Sequence, residues 1–392
     1  MSQNQQSSAG ASVWGVPGMP LLLAMTALGF SGYALLLPVA PLWAVQGGAD
    51  LVGAGLVNGV FLLFTVMTQL VVPGALRRFG WGSVLVAGML FLGLPALAHG
   101  TTDALWPTLV LSAVRGWGFG VLTVTGGVLV AELVEPAQRG KAIGAYGLAI
   151  AGPQVLLLPA GPWIAEHVGF WAVFAVASLP VVGVLPAIGL ARMLDHVPEK
   201  RGPAPYMLLL RPVVLLLGVT LAGGALITFM AQMSSSATLT TLALMLMSVT
   251  AALSRWRIGA LTDRIGKERL IWPLVVLTAV GMAVLAWAVR DSQDTDGLLL
   301  MLGSAVVGIS YGGLQSLTLV VAFESVSRSH YGPASAVWNV GFDVGTGLGS
   351  VVVGLVAAGT SFSSALLVAG ALSLLTLPLA IRRQAAVGEL TA

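Results

Sequence analysis

Twelve long apolar stretches dominate this chain, and they leave few folds open. They run over roughly 19–45, 51–72, 83–99, 104–132, 142–165, 169–191, 212–232, 238–258, 270–290, 297–322, 333–358 and 363–381. A helix needs about 20 mostly apolar residues to cross a membrane. In lipid every backbone N–H and C=O must find its partner within the protein, so only helices and closed barrels span it. Barrel strands alternate apolar and polar residues, whereas these stretches are longer and continuously apolar. The expected fold is an all-α membrane protein with twelve transmembrane helices. Only 8% of the residues are charged, against about 25% in a soluble domain, so the chain cannot dress a water-facing surface. Cysteine is absent, which excludes disulfides and thiolate metal sites.

Orientation follows from the cations, which favour the cytoplasmic side. With the amino terminus cytoplasmic, all eighteen Lys and Arg residues fall at cytoplasmic positions except Arg290, outside, and Arg115, within a span. The cytoplasmic set includes Arg77, Arg78, Arg139, Arg255, Arg257, Arg264 and Lys267. The outer loops carry Asp50, Asp103, Glu166, Asp291, Asp294 and Asp296. This places a multi-pass protein in the cell's inner (cytoplasmic) membrane with both ends in the cytoplasm. Residues 1–18 are Gln/Ser-rich and lack Lys or Arg, which suits a disordered tail rather than a signal peptide.

The chain repeats itself. "PGALRRFGWGS" at 73–83 and "GALTDRIGKER" at 259–269 share an Arg-x-Gly core at an offset of 186 residues. "SAVRGWGFG" at 112–120 matches "SAVVGISYG" at 304–312 at an offset of 192. Two related six-helix halves are expected, 19–192 and 212–382. A Pro-rich, charged cytoplasmic linker at 193–211 joins them, and 383–392 forms a second tail. Duplicated halves place a binding site at their interface, and rocking of one half on the other exposes it to each side in turn.

These features together resemble the major facilitator superfamily, and the resemblance covers nearly the whole chain. "GALTDRIGK", 259–267, looks like the family's loop between spans eight and nine. "LSAVRGWGFG", 111–120, looks like its fourth-span motif. "GAYGLAIAGP", 144–153, partly resembles the fifth-span motif of exporters; Gly152 and Pro153 are present, but Leu148 stands where a glycine is expected. "ASAVWNVGFDVGTGLG", 334–349, looks like the eleventh span of bacterial efflux members. The resemblance implies a pair of pseudo-symmetric six-helix bundles and a secondary active transporter, not an enzyme. It implies proton-driven export of a small amphipathic or zwitterionic organic molecule by alternating access, with a proton-coupled nutrient importer as the alternative. A monomer in the bilayer is expected, with a small organic substrate and protons as partners.

Candidate residues follow from polarity within spans. Asp343 stands ten residues into its span, about 15 Å deep. Burial penalises the charged form of a carboxyl, so Asp343 is a candidate proton carrier, and Arg115 in span four is a candidate partner, since intramembrane charges are costly and usually functional. Asn339 shares a helix face with Asp343. Tyr311 and Gln315 in span ten map by the 192 offset onto Phe119 and Thr123 in span four; these four, with Trp117, Trp338, Asn58, Gln154 and Gln232, are candidate cavity residues. Glycines Gly341, Gly345 and Gly349 at spacing four permit close helix contact. At the cytoplasmic gate, Gly259 is expected to turn the chain off span eight. Asp263 is expected to latch onto the cytoplasmic start of a neighbouring helix, where a helix dipole favours an anion; the resemblance implies that this helix is span five. Arg264 and Arg139 complete the set. Arg77 replaces the acid in the first copy and is free to pair with Glu324 or to anchor at anionic lipid headgroups. No phosphate loop and no metal-ligand spacing of the four histidines is present, so no cofactor is expected, and the drive comes from a gradient.

Overall fold

The computed structural model describes residues 13–135, 138–194, 206–234, 236–291, 295–327 and 330–381. The amino-terminal tail before residue 13, linker residues 195–205 and the carboxyl-terminal residues 382–392 lie outside the described residues. So do His196, Lys200, Arg201, Asp294, Arg328, Arg382 and Arg383.

Among the described residues the fold is entirely helical. The helices are α1 (Met19–Gln46), a continuous segment Leu51–Ala98, α4 (Leu105–Leu133), α5 (Arg139–His167), α7 (Tyr206–Met233), α8 (Ala237–Ile265), α9 (Lys267–Ala288), α10 (Gly297–Glu324) and α11 (Tyr331–Gly359). Between α5 and α7 lies α6 (Phe170–Ala191), made of two short helices around a 3-10 turn at Leu179–Val181; α12 (Phe362–Ile381) closes the chain.

Eleven helical segments are long and apolar enough to cross a membrane, one of them, Leu51–Thr101, 51 residues long. At about 1.5 Å per residue that is more than twice the hydrocarbon thickness, so it must cross twice. The fold-back is at Gly80, whose φ of 74° and ψ of 172° leave the helical region. It divides the segment into α2 (51–79) and α3 (81–98). Both arms pack on neighbouring turns of α4: Gly116 abuts Phe61 and Thr65 of α2, while Gly118 abuts Gly88 and Leu92 of α3. Residues 61–65 and 88–92 are therefore at the same depth, and the spans number twelve.

The turn between α8 and α9 is the same device. Gly266 has φ 85° and ψ 141°, and it lies 186 residues after Gly80. The Arg-x-Gly core occurs twice because each half needs a residue without a Cβ where the backbone enters positive φ. Gly259 is not that residue. It lies inside α8, facing open space, and residues 259–265, with Asp263 and Arg264 among them, extend the helix by almost two turns beyond the apolar stretch. Apolar patterning marks where lipid ends, while a helix stops only where its backbone turns.

One end of the molecule carries Asp50, Asp103, Glu166 and Asp291 in or beside its turns. The other carries Arg77, Arg78, Arg139, Arg192, Arg264 and Lys267. They are called here the acidic and the basic end. Alanine at Gly80 or Gly266 is expected to lower stability by at least about 1 kcal/mol, the minimum cost of a left-handed backbone for an L-residue. Gly259→Ala, in a helix with room for a methyl group, is expected to raise it by about 0.5–1 kcal/mol. Thermal unfolding in detergent micelles distinguishes the two directions.

Candidate functional site

The eleventh span shows two different faces. Gly341, Gly345 and Gly349 lie against α7, next to Val213, Thr220 and Leu221. The second face carries Asp343, Gly347, Ser350 and Gly354, spaced four, three and four residues apart, which is one helical stripe. This stripe crosses to the other half of the molecule. Gly347 packs on Leu62, the Ser350 carbonyl on Gly55, and Gly354 on the Leu51 carbonyl. The two halves thus touch backbone to backbone from the acidic end to mid-membrane, and Asp343 is the deepest member of the seam.

Polar side chains tie the same seam. Asn58 donates to the Leu37 carbonyl of α1 at 2.7 Å and to Thr228 Oγ1 of α7 at 2.9 Å. Thr228 shares a 2.7 Å hydrogen bond with Ser350 of α11. Asn58 is therefore a clamp joining four helices near the acidic end, not a cavity residue. Three helical turns deeper on the same face of α2, Gln69 Nε2 donates to Asp343 Oδ2 at 2.7 Å and to Thr123 Oγ1 of α4 at 3.1 Å. Asp343 is 3% exposed. A carboxyl group at the junction of the halves is thus held by an amide from the opposite half.

Aromatic rings line the space beside this contact. Tyr33 of α1 stacks on Phe119 with centroids 4.2 Å apart and planes 1° apart, and Phe30 and Phe61 buttress the pair. Tyr33 interacts electrostatically with Tyr311 and Asp343, and Thr123 and Asp343 share the Gln69 amide. Gln315 joins them through Arg255, whose Nη2 donates to Gln315 Oε1. Arg255 departs from the sequence reading, which placed it among the cytoplasmic cations. Helix α8 continues ten residues past it, about 15 Å, so its charge lies inside the bundle.

Other expected residues sit elsewhere. Arg115 is buried in the first half, donating to the Gly32 carbonyl of α1 at 3.3 Å with its guanidinium 5.0 Å from the Phe61 ring. These contacts anchor it to α1 and α2 rather than to Asp343. Trp117 is 43% exposed and packs on Phe64 and Phe91 at the outer surface, so it lines no cavity. Trp338 donates to Thr318 Oγ1 at 3.0 Å and stacks on Phe342 within the second half. Gln154 bonds the Ile150 carbonyl of its own helix at 3.3 Å. The amide of Gln232 is placed to donate to Thr228 and Phe229 carbonyls, at 3.0 and 3.1 Å, close to the acidic end. Asn339 is half-buried one turn from Asp343 on the basic side. Gly152 and Pro153 lie within α5, Gly152 facing open space.

At the basic end the halves stand apart. A Cβ added at Gly144, Gly147 or Gly152 of α5, or at Gly259 of α8, would meet nothing. Asp263, Arg264 and Arg77 are exposed. Arg139 donates to the Ala131 carbonyl at 3.3 Å. Glu324 pairs with Lys267 rather than with Arg77. Glu268 forms an ion pair with Arg211 at 2.5 Å, and Arg211 Nε also holds the Leu379 carbonyl at 3.0 Å. The end of the second charged stretch therefore fastens α7, α9, α10 and α12 to one another. The first copy has Trp81 and Gly82 at the positions of Lys267 and Glu268 and cannot do this. The halves are thus closed against each other near the acidic end, while Gly144, Gly147 and Gly259, nearer the basic end, face open space.

The Major Facilitator Superfamily model matches residues 22–235 and 208–389. The chain belongs to the major facilitator superfamily. It is accordingly a transporter and not an enzyme. It is similar to the multidrug resistance protein MdtG of Citrobacter koseri, 24% identical over 346 residues covering 82% of this chain and 84% of that protein. It is also similar to a probable 4-methylmuconolactone transporter of Cupriavidus pinatubonensis, 26% identical over 130 residues, but this match spans 31% of the chain and only 28% of that relative. Among solved structures, an inward-facing, unoccupied bacterial homolog of the human lysosomal transporter Spinster has TM-score 0.71 at 13% identity, covering 97% of each chain. A POT family peptide transporter has TM-score 0.72 at 12% identity, covering 94% of this chain and 98% of its own. At such identities these structures speak for the fold alone.

This transporter has no cysteine, and the Cβ of Val351 lies 4.0 Å from the ideal Cβ position on Gly59. Disulfides need about 3.5–4.5 Å between Cβ atoms. The double variant Gly59→Cys/Val351→Cys is expected to cross-link under mild oxidation, seen as a mobility shift after a proteolytic cut in the linker. Transport should stop on oxidation and return with reductant; a pair that stays reduced would mean the seam is not closed in the membrane.

Proposed function

We propose that this transporter exports a small amphipathic or zwitterionic organic molecule, driven by protons and working as a monomer in the cytoplasmic membrane. The observation that carries the proposal is the buried contact between Asp343 and Gln69. It lies at the junction of the halves, near a cluster of aromatic rings, and Asp343 takes part in neither ion pair of the described residues. Ionised Asp343 accepts from Gln69 and holds α11 to α2. A proton on the carboxyl removes the charge that strengthens that bond and loosens the seam. Proton uptake and rocking of the two halves, 19–192 and 212–382, are thereby one event.

The cation-rich end is read as cytoplasmic, so the transport cavity of this reading, between the halves, opens to the cytoplasm in this state. In the opposite state Asp263 meets the amino-terminal end of α5, whose dipole stabilises an anion, and closes the basic end. Gly152 and Pro153, the resemblance of the eleventh span to efflux members, and the long match to a multidrug resistance protein favour export. Leu148 in the fifth-span motif keeps a proton-coupled importer as the second reading.

Metabolite profiling of cells with the intact protein, with Asp343→Asn and with none tests the direction and the coupling together. A compound enriched outside only with the intact protein supports export; depletion from the medium with accumulation inside overturns it. A hydrogen bond to a charged group contributes about 1.5–3 kcal/mol, so Asp343→Asn is expected to lower gradient-driven flux by about tenfold or more. Asp263→Asn should slow transport strongly and Arg77→Ala mildly; equal effects would mean that the second charged stretch is not the main gate.

A further inference from the structure

Arg255 and Gln315 present a feature that proton coupling does not use. Arg255 is about 15 Å from the end of α8, and neither ion pair among the described residues, Arg211–Glu268 or Lys267–Glu324, involves it. Its Nη2 occupies the Gln315 carbonyl oxygen. That bond turns the Gln315 amide nitrogen outward, and this nitrogen is buried with no hydrogen-bond partner. The Arg255 Nε is in the same condition. Gln315 is only 4% exposed. Tyr311 stands beside both side chains, its phenol oxygen a neighbouring acceptor for the Gln315 amide, yet neither nitrogen has a partner at normal hydrogen-bond geometry. Asp343 is engaged by Gln69. Two buried donors thus converge beside a phenol, with a positive charge that no carboxylate in the ion pairs of the described residues compensates.

Burying a cation without a counterion is strongly unfavourable, and buried polar groups ordinarily find partners. We propose that Arg255 and Gln315 bind a carboxylate group of the transported molecule. A carboxylate accepts from the guanidinium and from the amide together, in the planar geometry that arginine favours. A cationic solute would meet repulsion there, and a neutral one would leave the charge unpaired. One arginine matches a monocarboxylate better than a doubly charged phosphate ester. A zwitterion places its cationic group away from Arg255. The proposal rests on the reading that the cavity between the halves is the transport site.

The test uses the full chain in proteoliposomes loaded with a small-molecule extract of the host cells, and mass spectrometry of the compounds released. Release of carboxylates, with their amides retained, is the expected result. Arg255→Gln should lower that release about thirtyfold or more, the cost of removing one partner of a buried charge pair. Arg255→Lys, which keeps the charge and loses the planar fork, should fall between. Should Arg255→Gln fail to fold, Gln315→Glu serves instead: it supplies an internal carboxylate, so it should raise thermal stability and block release. Release of only neutral or cationic compounds by the intact protein overturns the carboxylate assignment and leaves the transport site standing. Unchanged carboxylate release by Gln315→Glu also overturns it. Release of nothing at all by the intact protein overturns the transport-site reading, and the proposal with it.

Discussion

Hydrocarbon gives no hydrophobic reward for bringing one apolar helix against another, so association must come from close packing and hydrogen bonds. Everything else in this molecule depends on how closely α11 approaches its neighbours. On one side Gly341, Gly345 and Gly349 bring its backbone against α7 and build the second half. On the other side Gly347, Ser350 and Gly354 bring it against α2 and join the second half to the first. A single helix therefore packs within its own half on one face and across the seam on the other. The face on the seam is the one that carries Asp343.

That placement gives the buried carboxyl its leverage. Asp343 is bonded across the seam to Gln69, and Gln69 also bonds Thr123, so a change at one oxygen bears on α2, α4 and α11 together. Nearer the acidic end, Asn58, Thr228 and Ser350 form a second polar tie. These groups hold no formal charge and have no reason to respond to protons. The seam thus combines a neutral clamp at its mouth with a chargeable one at its base.

The two charged stretches show how a duplication diverges. Both keep the glycine at positive φ, Gly80 and Gly266, because the chain must turn back there and an L-residue resists that backbone. The surrounding charges are free to differ. In the second copy Lys267 and Glu268 pair with Glu324 and Arg211 and brace the basic end of one half, while Asp263 stays exposed. In the first copy Trp81 is buried at the position of Lys267, so that half is braced by packing. The shared element answers a backbone requirement, and the divergent ones answer local neighbours.

By itself the sequence determined the solvent, the twelve crossings, the duplication and the presence of a carboxyl group, Asp343, deep in a span. Each of these rests on a property a residue carries wherever it goes: apolarity, charge, or the lack of a side chain. Tertiary structure alone decided which polar residues meet. Asn58 and Gln69 are three turns apart on one face of α2, a spacing legible in the sequence, but nothing local distinguishes a clamp from a cavity wall. Trp117 reads as a cavity aromatic and faces outward, because a helix in lipid is apolar all round and leaves no amphipathic stripe to orient it. Arg255 reads as one more cytoplasmic cation, because it stands near the end of its apolar stretch with Arg257 and Arg264 close behind, whereas α8 runs on to Ile265. Its unpaired burial exists only once α8 and α10 are side by side. In a membrane protein the pattern of apolar residues reports contact with lipid, and the functional contacts are those made away from lipid, between helices distant in the chain.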